Sequence, residues 1–412
     1  MINTDYTFNF SGLLSRVRIG WELPGLGDII RDISRQAEGQ EDARPVSRCL
    51  LVCDKNTLPI ARAVARGGTG DAGGETPGAG GQGTPICVLS PGEERKNWAS
   101  AEQILRSARE AGLGRDGLFV AVGGGVVSDL AGFAASVYMR GTRLSIVSTS
   151  LLGMVDAALG GKTGFDLFGI KNLAGTFFPA RCVYLPLNSL RTLPPAEWKS
   201  GMAELLKTAV LDGEAFFALA ASLNQDLPPD SFSASFPEAF IRRLLEGGAE
   251  TFTDCLSRAI AYKGRVVESD PRESGTRALL NLGHTFAHAL ESAAGLGRLS
   301  HGEAVAWGII RACELGVALG LTPLSRAEAI SRLFSSYGYE TAAPHPLMGD
   351  VDLFLKALGG DKKRKGGGLV FIVPAAAGAL ETKAEVPPET SLLRDIVTGK
   401  LRRPASPAGL QQ

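Results

Sequence analysis

Three of the four histidines in this 412-residue chain fall within eighteen residues of one another. His284 and His288 are four residues apart in a helix-like stretch, so both side chains would lie on one face. His301 opens the next such stretch, and Glu204 and Lys207 lie one helical turn apart in another. A glutamate with two histidines would supply the three protein ligands of a catalytic zinc site with an open position. A helical histidine pair is also commonly a packed or hydrogen-bonded pair, so the spacing alone leaves both interpretations open.

Polar residues accompany the histidines along the segment RALLNLGHTFAH. Arg277, Asn281, His284 and His288 follow one another at steps of four, three and four, which predicts one face of a single helix. Such a stripe among apolar positions is hard to bury without ligands, which favours a metal and anion site. Neither His284 nor His301 belongs to an HExxH motif, so the zincin peptidase class is excluded.

Two glycine-rich features could bring the backbone close to phosphate groups. The triplet 123–125 follows an apolar strand and precedes a helix, where a pyrophosphate could bind, although it is not GxGxxG and could be a tight turn. Asp54, at the end of the first strand, could accept a hydrogen bond from a ribose hydroxyl or cap the next helix. Residues 160–163 (GGKT) lack the first glycine of a phosphate loop, but Lys162 can still bind an anion, with the Lys171-Asn172 pair nearby.

The elements that must position these residues follow from the hydrophobic pattern. Short apolar runs at 49–54, 86–90, 118–125, 143–150 and 180–187 alternate with helical patterns, which predicts a mostly parallel sheet. Helical periodicity dominates beyond residue 190, with one strand-like run at 365–374. The fold class is therefore a Rossmann-like α/β domain over 1–188, the candidate dinucleotide-binding domain, followed by a largely α-helical domain over 189–402, the candidate metal- and substrate-binding domain. We expect a flexible glycine-rich insertion at 67–84 and a disordered tail at 403–412.

The composition narrows the class of protein. Lys plus Arg equals Asp plus Glu, 43 of each, so the charge indicates neither a nucleic-acid partner nor an anionic membrane. No apolar run approaches the length of a membrane span, and the first residues lack the pattern of a signal peptide. The six cysteines form no CxxC pair, and we expect core thiols in a reducing, cytoplasmic environment.

At these motifs the chain resembles the 3-dehydroquinate synthase family of sugar phosphate cyclases. The matching segments are AVGGGVVSDLAGF, YMRG, VDAALGGKTG, IKNLAGTF, LRTLP, GMAELLK, RESGTRALLNLGHTFAH and SHGEAVAWG. The resemblance implies a homodimer that uses NAD and zinc, with cobalt as an alternative metal. It implies conversion of 3-deoxy-D-arabino-heptulosonate 7-phosphate to 3-dehydroquinate and phosphate, a step of the shikimate pathway, through transient oxidation, phosphate elimination, re-reduction, ring opening and aldol closure.

The resemblance also implies roles for individual residues. The metal ligands are Glu204, His284 and His301. The catalytic residues are Asp156, Lys207, Arg277 and His288. The further substrate-binding residues are Arg140 (from a neighbouring subunit), Lys162, Lys171, Asn172, Lys263, Asn281 and Lys362. The NAD-binding residues are Asp54, Asn56, Glu93, Lys96, Gly124, Gly125, Asp129, Thr149, Ser150, Thr192 and Glu197.

Some positions depart from the family's usual pattern. Asp166-Leu167-Phe168 stand where Asn-His-Pro is common, Ser128 replaces a glycine, and residues 148–150 read STS rather than PTT. Two alternatives therefore stand beside the dehydroquinate reaction. One is a cyclase of secondary metabolism that acts on an amino-heptulosonate or sedoheptulose phosphate, and the other is a zinc polyol dehydrogenase. The intact GGKT segment and histidine region favour the dehydroquinate reaction.

Overall fold

The computed structural model describes residues 4–37, 44–67, 83–225, 236, 238–295, 298–359, 368–376, 382–387 and 391–401. Lys362, the predicted tail at 403–412 and nearly all of the predicted insertion at 67–84 lie outside these residues. The chain divides into two compact units: Met1–Gly201 with Ile241–Arg277, and Met202–Phe240 with Ala278–Gln412. This division differs from the single boundary predicted near residue 188, because the first unit takes a second, later segment of the chain.

The first unit is built on a seven-stranded sheet. The strands of the unit, including two outside this sheet, are β1 Thr4–Phe10, β2 Leu13–Gly20, β3 Cys49–Asp54, β4 Ile86–Leu89, β5 Leu118–Gly123, β6 Arg143–Ser148, β7 Lys162–Leu167, β8 Ile170–Phe177 and β9 Cys182–Pro186. Their order in the sheet is β1-β2-β9-β6-β5-β3-β4, with β7 and β8 as a separate hairpin. Only β1 and β2 pair antiparallel in the large sheet. The mostly parallel α/β sheet confirms the predicted fold class, and β5, β6 and β9 are buried throughout, as strands covered on both faces require.

The helices are α1 Leu26–Ala37, α2 Leu58–Ala65, α3 Trp98–Glu110, α4 Gly125–Val137, α5 Pro195–Asp212, α6 Glu214–Ser222, α7 Glu238–Leu245, α8 Ala249–Ser269, α9 His284–Ala294, α10 His301–Ala318, α11 Leu324–Ser336, α12 Val351–Gly359 and α13 Ser391–Val397. The second unit also holds a hairpin of β10 Leu369–Val373 and β11 Thr382–Val386. Within the described ranges, no helix has the length and apolar character to cross a membrane. All six cysteines are buried free thiols, as expected.

The sheet order creates a switch point beside β3. Strand β4 pairs with one side of β3 and β5 with the other, so the chain changes direction across the sheet between them. In open parallel sheets, ligands bind at the carboxyl ends of the strands on either side of such a point. Asp54 ends β3 and Gly123 ends β5 at this edge.

The single helix predicted through residues 277–288 is wrong. Residues Thr276–Asn281 form a 3-10 helix, and α9 begins only at His284. Gly283 separates the two because it has a φ of 79°, in the left-handed region that glycine adopts most readily. A Cβ at this position would lie 2.6 Å from Ile309 Cγ1 and 2.7 Å from Ile309 N, so the close approach of α10 also requires glycine here.

Candidate active site

Glu204, His284 and His301 converge in the second unit, as the sequence predicts. Their ligand atoms lie within 4.8 Å of one another. Glu204 Oε1 is 3.7 Å from His284 Nε2 and 3.6 Å from His301 Nε2. Ligands about 2.0–2.2 Å from a tetrahedral zinc lie roughly 3.3–3.6 Å apart, so the donor set fits a zinc or cobalt ion with little adjustment.

Local features of the helices position the three ligands. Glu204 lies in α5 and is buried, and His284 is the first residue of α9. His301 is the first residue of α10, whose start is set by a capping box between Ser300 and Glu303. In that box the Ser300 side chain accepts from the Glu303 backbone N–H, and the Glu303 carboxylate accepts in return, which fixes the helix start.

Hydrogen-bond partners set the chemical state of the two histidines. His284 Nδ1 lies 3.2 Å from the Leu282 carbonyl oxygen, and His301 Nδ1 lies 3.4 Å from Glu291 Oε1. Each contact leaves Nε2 directed at Glu204. In metal-bound histidines the ring nitrogen that does not bind the metal usually donates to a carbonyl or a carboxylate in this way. Burial and the Lys207 ammonium lower the pKa of His284 well below its usual value, so the ring is neutral and offers a lone pair.

His301 differs from His284 in charge. Burial opposes a charge on the His301 ring, but the carboxylates of Glu204 and Glu291 outweigh it and raise its pKa to about 10. A cation held by the three side chains would take the place of that proton. Two carboxylates and two histidines thus form a centre that favours positive charge.

Lys207 and His288 complete the group around the triad. The buried Lys207 Nζ lies 2.5 Å from Glu204 Oε2, which leaves Oε1 toward the histidines. The His288 ring is exposed and its centroid lies 5.6 Å from that of His284 and 6.4 Å from that of His301. Asn281 is half-buried at the end of the 3-10 helix before α9.

A second group of predicted residues lies in the first unit. The Lys263 ammonium, from α8, donates to the Asp156 backbone carbonyl at 2.5 Å and also to its carboxylate. Asp156 belongs to a π-helical turn, Gly153–Ala157, a conformation frequent at functional sites. Arg277 is buried and donates to the Gly160 carbonyl at 3.0 Å and to the Pro271 carbonyl at 2.7 Å.

Lys162 and Arg277 each have an acidic partner that the sequence reasoning missed. The Lys162 ammonium forms an ion pair with Glu273. Asp270 accepts from the backbone N–H groups of Ser274, Gly275 and Arg277, which orders the segment leading to Arg277. Burial opposes ionisation of Asp270, but these donors outweigh it and lower its pKa to about 2. The motif RESG at 272–275, whose charged and small residues end two positions before Arg277, was the available signal.

Five predicted nucleotide-binding residues follow the carboxyl ends of neighbouring strands: Asp54 ends β3, Gly124 and Gly125 follow β5, and Thr149 and Ser150 follow β6. Gly124 is the N-cap of α4 and makes no side-chain cap hydrogen bond, so the first N–H groups of the helix remain available to an anion. A Cβ at Gly124 would meet Ser150 Oγ at 3.0 Å. The lack of a side chain at Gly124 therefore keeps the start of α4 uncrowded beside Ser150.

Lys96, Asp129 and Asn172 form one hydrogen-bonded cluster. Lys96 is buried, and its Nζ lies 2.5 Å from Asp129 Oδ2 and donates to Asn172 Oδ1 at 2.6 Å. Burial raises the pKa of Asp129 to about 6 even though the Lys96 ammonium acts in the opposite direction. The cluster thus joins two predicted NAD residues to one predicted substrate residue.

The remaining predicted residues lie apart from these clusters or are exposed. Asp54 Oδ1 accepts from the Thr57 N–H at 2.8 Å and from its hydroxyl at 2.9 Å, so this carboxylate orders the turn before α2. Thr149 and Ser150 are buried after β6. The exposed members of the set are Asn56, Glu93, Arg140, Lys171, Thr192 and Glu197. Glu291, behind His301, was missed, although it follows His284 by seven residues and so lies on the same helical face.

Two family models match the chain. The 3-dehydroquinate synthase N-terminal model covers residues 86–200, and the C-terminal model covers residues 201–364. Among curated proteins, the 3-dehydroquinate synthase of Synechococcus sp. (strain CC9605) is 40% identical over 307 residues, 74% of this chain and 78% of that protein. That of Colwellia psychrerythraea (strain 34H / ATCC BAA-681) is 37% identical over 303 residues, 74% of this chain and 80% of that protein.

Solved structures share the fold. A 2-deoxy-scyllo-inosose synthase complexed with carbaglucose-6-phosphate, NAD⁺ and Co²⁺ has a TM-score of 0.72 at 23% identity, covering 96% of this chain and 99% of that one. The 2-epi-5-epi-valiolone synthase ValA of Streptomyces hygroscopicus subsp. jinggangensis 5008, with NAD⁺ and Zn²⁺ bound, has a TM-score of 0.71 at 23% identity, covering 92% of this chain and 94% of that one. At this identity the likeness establishes the fold.

Proposed function

We infer that this chain, which belongs to the 3-dehydroquinate synthase family, is a lyase that converts 3-deoxy-D-arabino-heptulosonate 7-phosphate to 3-dehydroquinate and phosphate. The observation that carries the proposal is the convergence of Glu204, His284 and His301, with Lys207, inside a chain matched by both halves of the family. A triad with an open fourth position suits a metal that binds a substrate hydroxyl.

We propose that the enzyme works with NAD and a divalent metal, zinc or cobalt. When bound, NAD⁺ supplies a hydride acceptor and donor, and the metal supplies Lewis acidity at the sugar hydroxyl. Glu204, His284 and His301 would hold the metal. The α4 N-terminus with Gly124, Gly125 and the Lys96–Asp129 pair would hold the dinucleotide. We propose that the exposed residues Asn56, Glu93, Thr192 and Glu197, which the resemblance assigns to NAD, also contact the dinucleotide.

The chain's own side chains supply binding and orientation. Lys207 holds one Glu204 oxygen, so that the other faces the two histidines. Lys263 and Arg277 provide fixed cations for the substrate carboxylate, and Lys263 also keeps Asp156 in place beside it. We assign the phosphate to Lys162, Asn281, His288 and Lys362. Arginine and lysine donors bind such anions through charge-assisted hydrogen bonds.

We further propose a cytoplasmic homodimer in which Arg140 serves the partner's site. Exposed apolar side chains lie close to Arg140 in the chain: Val137 is 42% and Met139 46% exposed, and Phe177 of β8 is 50% exposed. The Thr176 hydroxyl donates to Ser136 Oγ at 2.9 Å, which ties the hairpin carrying Phe177 to the end of α4. Contiguous exposed apolar patches mark protein interfaces, so we propose that these side chains meet the partner subunit. The buried free thiols accord with a reducing compartment.

Phosphate release tests the proposed reaction. Purified protein with NAD⁺ and zinc is given the heptulosonate phosphate, and phosphate and NADH are both recorded. We expect phosphate without net NADH, because oxidation and re-reduction balance. The Lys162→Ala variant is the control, since it should lose most of the activity. Release no greater than that of the control would overturn the proposal, and accumulating NADH would favour the polyol dehydrogenase.

The second candidate, a cyclase of secondary metabolism, is tested in the same assay. Its support is the unusual Asp166-Leu167-Phe168 segment, which lies in the hairpin that carries the predicted substrate-binding residues Lys171 and Asn172. Side-by-side turnover of the heptulosonate, amino-heptulosonate and sedoheptulose phosphates decides between the two. Treatment with a chelator should abolish the turnover of whichever sugar is used, and zinc or cobalt should restore it.

Complementation tests the shared site. Arg140→Ala and Lys207→Ala should each be nearly inactive. The first variant lacks the side chain that each subunit contributes to its partner's site, and the second lacks a side chain of the subunit's own site. Mixed after unfolding and refolding together, they should recover about a quarter of wild-type activity, since half of the dimers would be mixed and would hold one intact site. No recovery, together with a monomeric mass in solution, would contradict the proposal.

A further inference from the structure

The β7–β8 hairpin has a break in its pairing at the residues that depart from the family's pattern. Phe165 pairs with Ala174 and Leu167 pairs with Ile170, so one residue of β7 faces three of β8. Asn172 lies in the middle of this bulge with a φ of 52°, in the left-handed region. Within such a bulge, backbone N–H groups lose their ladder partners and need another acceptor.

Asp166 supplies that acceptor. Its Oδ1 accepts from the Asn172 backbone N–H at 2.7 Å. Its own backbone N–H donates to the Lys96 carbonyl oxygen at 2.8 Å. The Lys96 ammonium in turn donates to Asn172 Oδ1 at 2.6 Å. The three residues therefore close a ring of hydrogen bonds in which both the backbone and the side chain of Asn172 are held.

Charge strengthens the ring. Burial opposes the Lys96 ammonium, but the carboxylates of Asp129, Glu93 and Asp166 outweigh it and raise the pKa of Lys96. A carboxylate also accepts a stronger hydrogen bond from a backbone N–H than a neutral group does. Asp166 is half-buried, so solvent does not fully screen it.

We propose that Asp166 is a positioning residue, which sets the place of Asn172 relative to Lys96 and so aligns a sugar-binding side chain with a cofactor-binding one. This inference rests on the proposed function for the roles of Asn172 and Lys96. Removing Asp166 leaves the Asn172 amide able to turn out of the bulge, while Lys96 keeps its ion pair with Asp129. The effect should therefore fall on sugar turnover more than on NAD binding.

Three variants test the inference. Asp166→Ala removes the acceptor, and Asp166→Asn keeps an acceptor oxygen but removes the charge. Glu102→Ala is the matched control, since it removes an exposed carboxylate of the same unit, which pairs with Arg106 on the surface of α3. We expect Asp166→Ala to lower kcat/KM for the sugar about 10–100-fold, as displacements of about 1 Å do, with the Kd for NAD⁺ changed less than about threefold. Asp166→Asn should recover most of the loss, and Glu102→Ala should match wild type.

A double mutant separates positioning from stability. If Asp166 acts through Asn172, the change Asp166→Ala should add little to the loss already caused by Asn172→Ala. Melting curves must show that all variants are folded at the assay temperature. The inference is overturned if Asp166→Ala retains wild-type kcat/KM, if Asp166→Asn is as impaired as Asp166→Ala, or if the losses from the two sites multiply.

Amide hydrogen exchange provides a readout independent of turnover. In Asp166→Ala, the peptide containing Asn172 should exchange at least about tenfold faster than in wild type, because its N–H loses the acceptor. Wild-type protein that releases no phosphate would refute the proposed function. In that case the amide exchange measurement would still test whether Asp166 holds the Asn172 backbone. Unchanged exchange would overturn the role of Asp166 in either case.

Discussion

Gly308→Ala would test how closely the packing of α9 on α10 controls the metal centre. Gly308 in α10 meets the backbone just before His284, and a Cβ there would lie well under 3.0 Å from the Gly283 carbonyl oxygen and 3.1 Å from Ala287 N. Both neighbours are backbone atoms, so no change of side-chain rotamer can relieve the contact. The two helices would have to move apart.

The size of the effect follows from these contacts. Ordinary van der Waals contact needs 3.4–4 Å, so α9 must shift by roughly 1 Å, and overpacking of this kind costs about 1–3 kcal/mol. A cost near the middle of that range would lower the melting temperature by about 4–8 °C. His284 begins α9 and His301 begins α10, so the shift separates two ligands by several times the roughly 0.2 Å that zinc–ligand distances tolerate. We expect zinc affinity to fall about 100-fold.

The assay is competition for zinc between the metal-free protein and a chelating dye, together with a thermal melt. Gly359→Ala is the control, because Gly359 ends a helix of the same unit and nothing lies within 4 Å of a Cβ built there. The control should match wild type in both measurements. Wild-type zinc affinity in Gly308→Ala would refute the reasoning, since it would mean that the helices do not hold the ligands in place.

Three further predictions concern residues around the site and in the core. Glu291→Ala removes the carboxylate behind His301 and should weaken zinc binding about 10–100-fold in the same dye competition; unchanged affinity would exclude an orienting role. Asp270→Asn should lower the free energy of unfolding at pH 7 by about 1–2 kcal/mol, because Asp270 accepts from three backbone N–H groups. Folding lowers the pKa of Asp270 from 3.8 to about 2, so this stabilisation is present above pH 3.8 and is lost as the pH falls toward 2. Denaturant titrations should therefore show a smaller difference in unfolding free energy between variant and wild type at pH 3 than at pH 7. An equal difference at the two pH values would contradict the assignment. Arg143→Met should lower the free energy of unfolding by about 2–4 kcal/mol, because the buried guanidinium donates to the Arg44 and Asp116 carbonyls; a urea titration that coincides with that of wild type would disprove this.

Much of the first unit could be predicted from local pattern. Strands β3 and β5 begin at the predicted residues, because a continuous apolar run bounded by polar or glycine residues suits only a buried strand of this length. The β7–β8 hairpin was not predicted, since its sequence is rich in glycine and β8 is largely exposed. Neither strand has the clean alternation of apolar and polar residues that would reveal it.

The helix spacing near the metal centre was predictable only in part. Glu204 and Lys207 pair one turn apart as the helical period requires, and His284 and His288 share α9. The prediction that this helix continues back to Arg277 was wrong. The spacing of the polar residues does not show that the chain leaves helical geometry at Gly283, where α10 packs too closely for a side chain. Arg277 belongs to the first unit and the histidines to the second, a division that only tertiary contacts create.

The sequence by itself determined which donors are present and on which helical turns they lie, since residue type and the period of a helix or strand are local properties. It therefore sufficed for the α/β class, whereas the glutamate–histidine–histidine ligand set followed from the family resemblance, because the spacing alone left a packed histidine pair open as well. Tertiary structure alone decided the convergence of Glu204 with two histidines from later helices, the carboxylates behind His301 and Arg277, and the ring that holds Asn172. These depend on distances between segments far apart in the chain, which are set by close packing and by hydrogen bonding of buried polar groups.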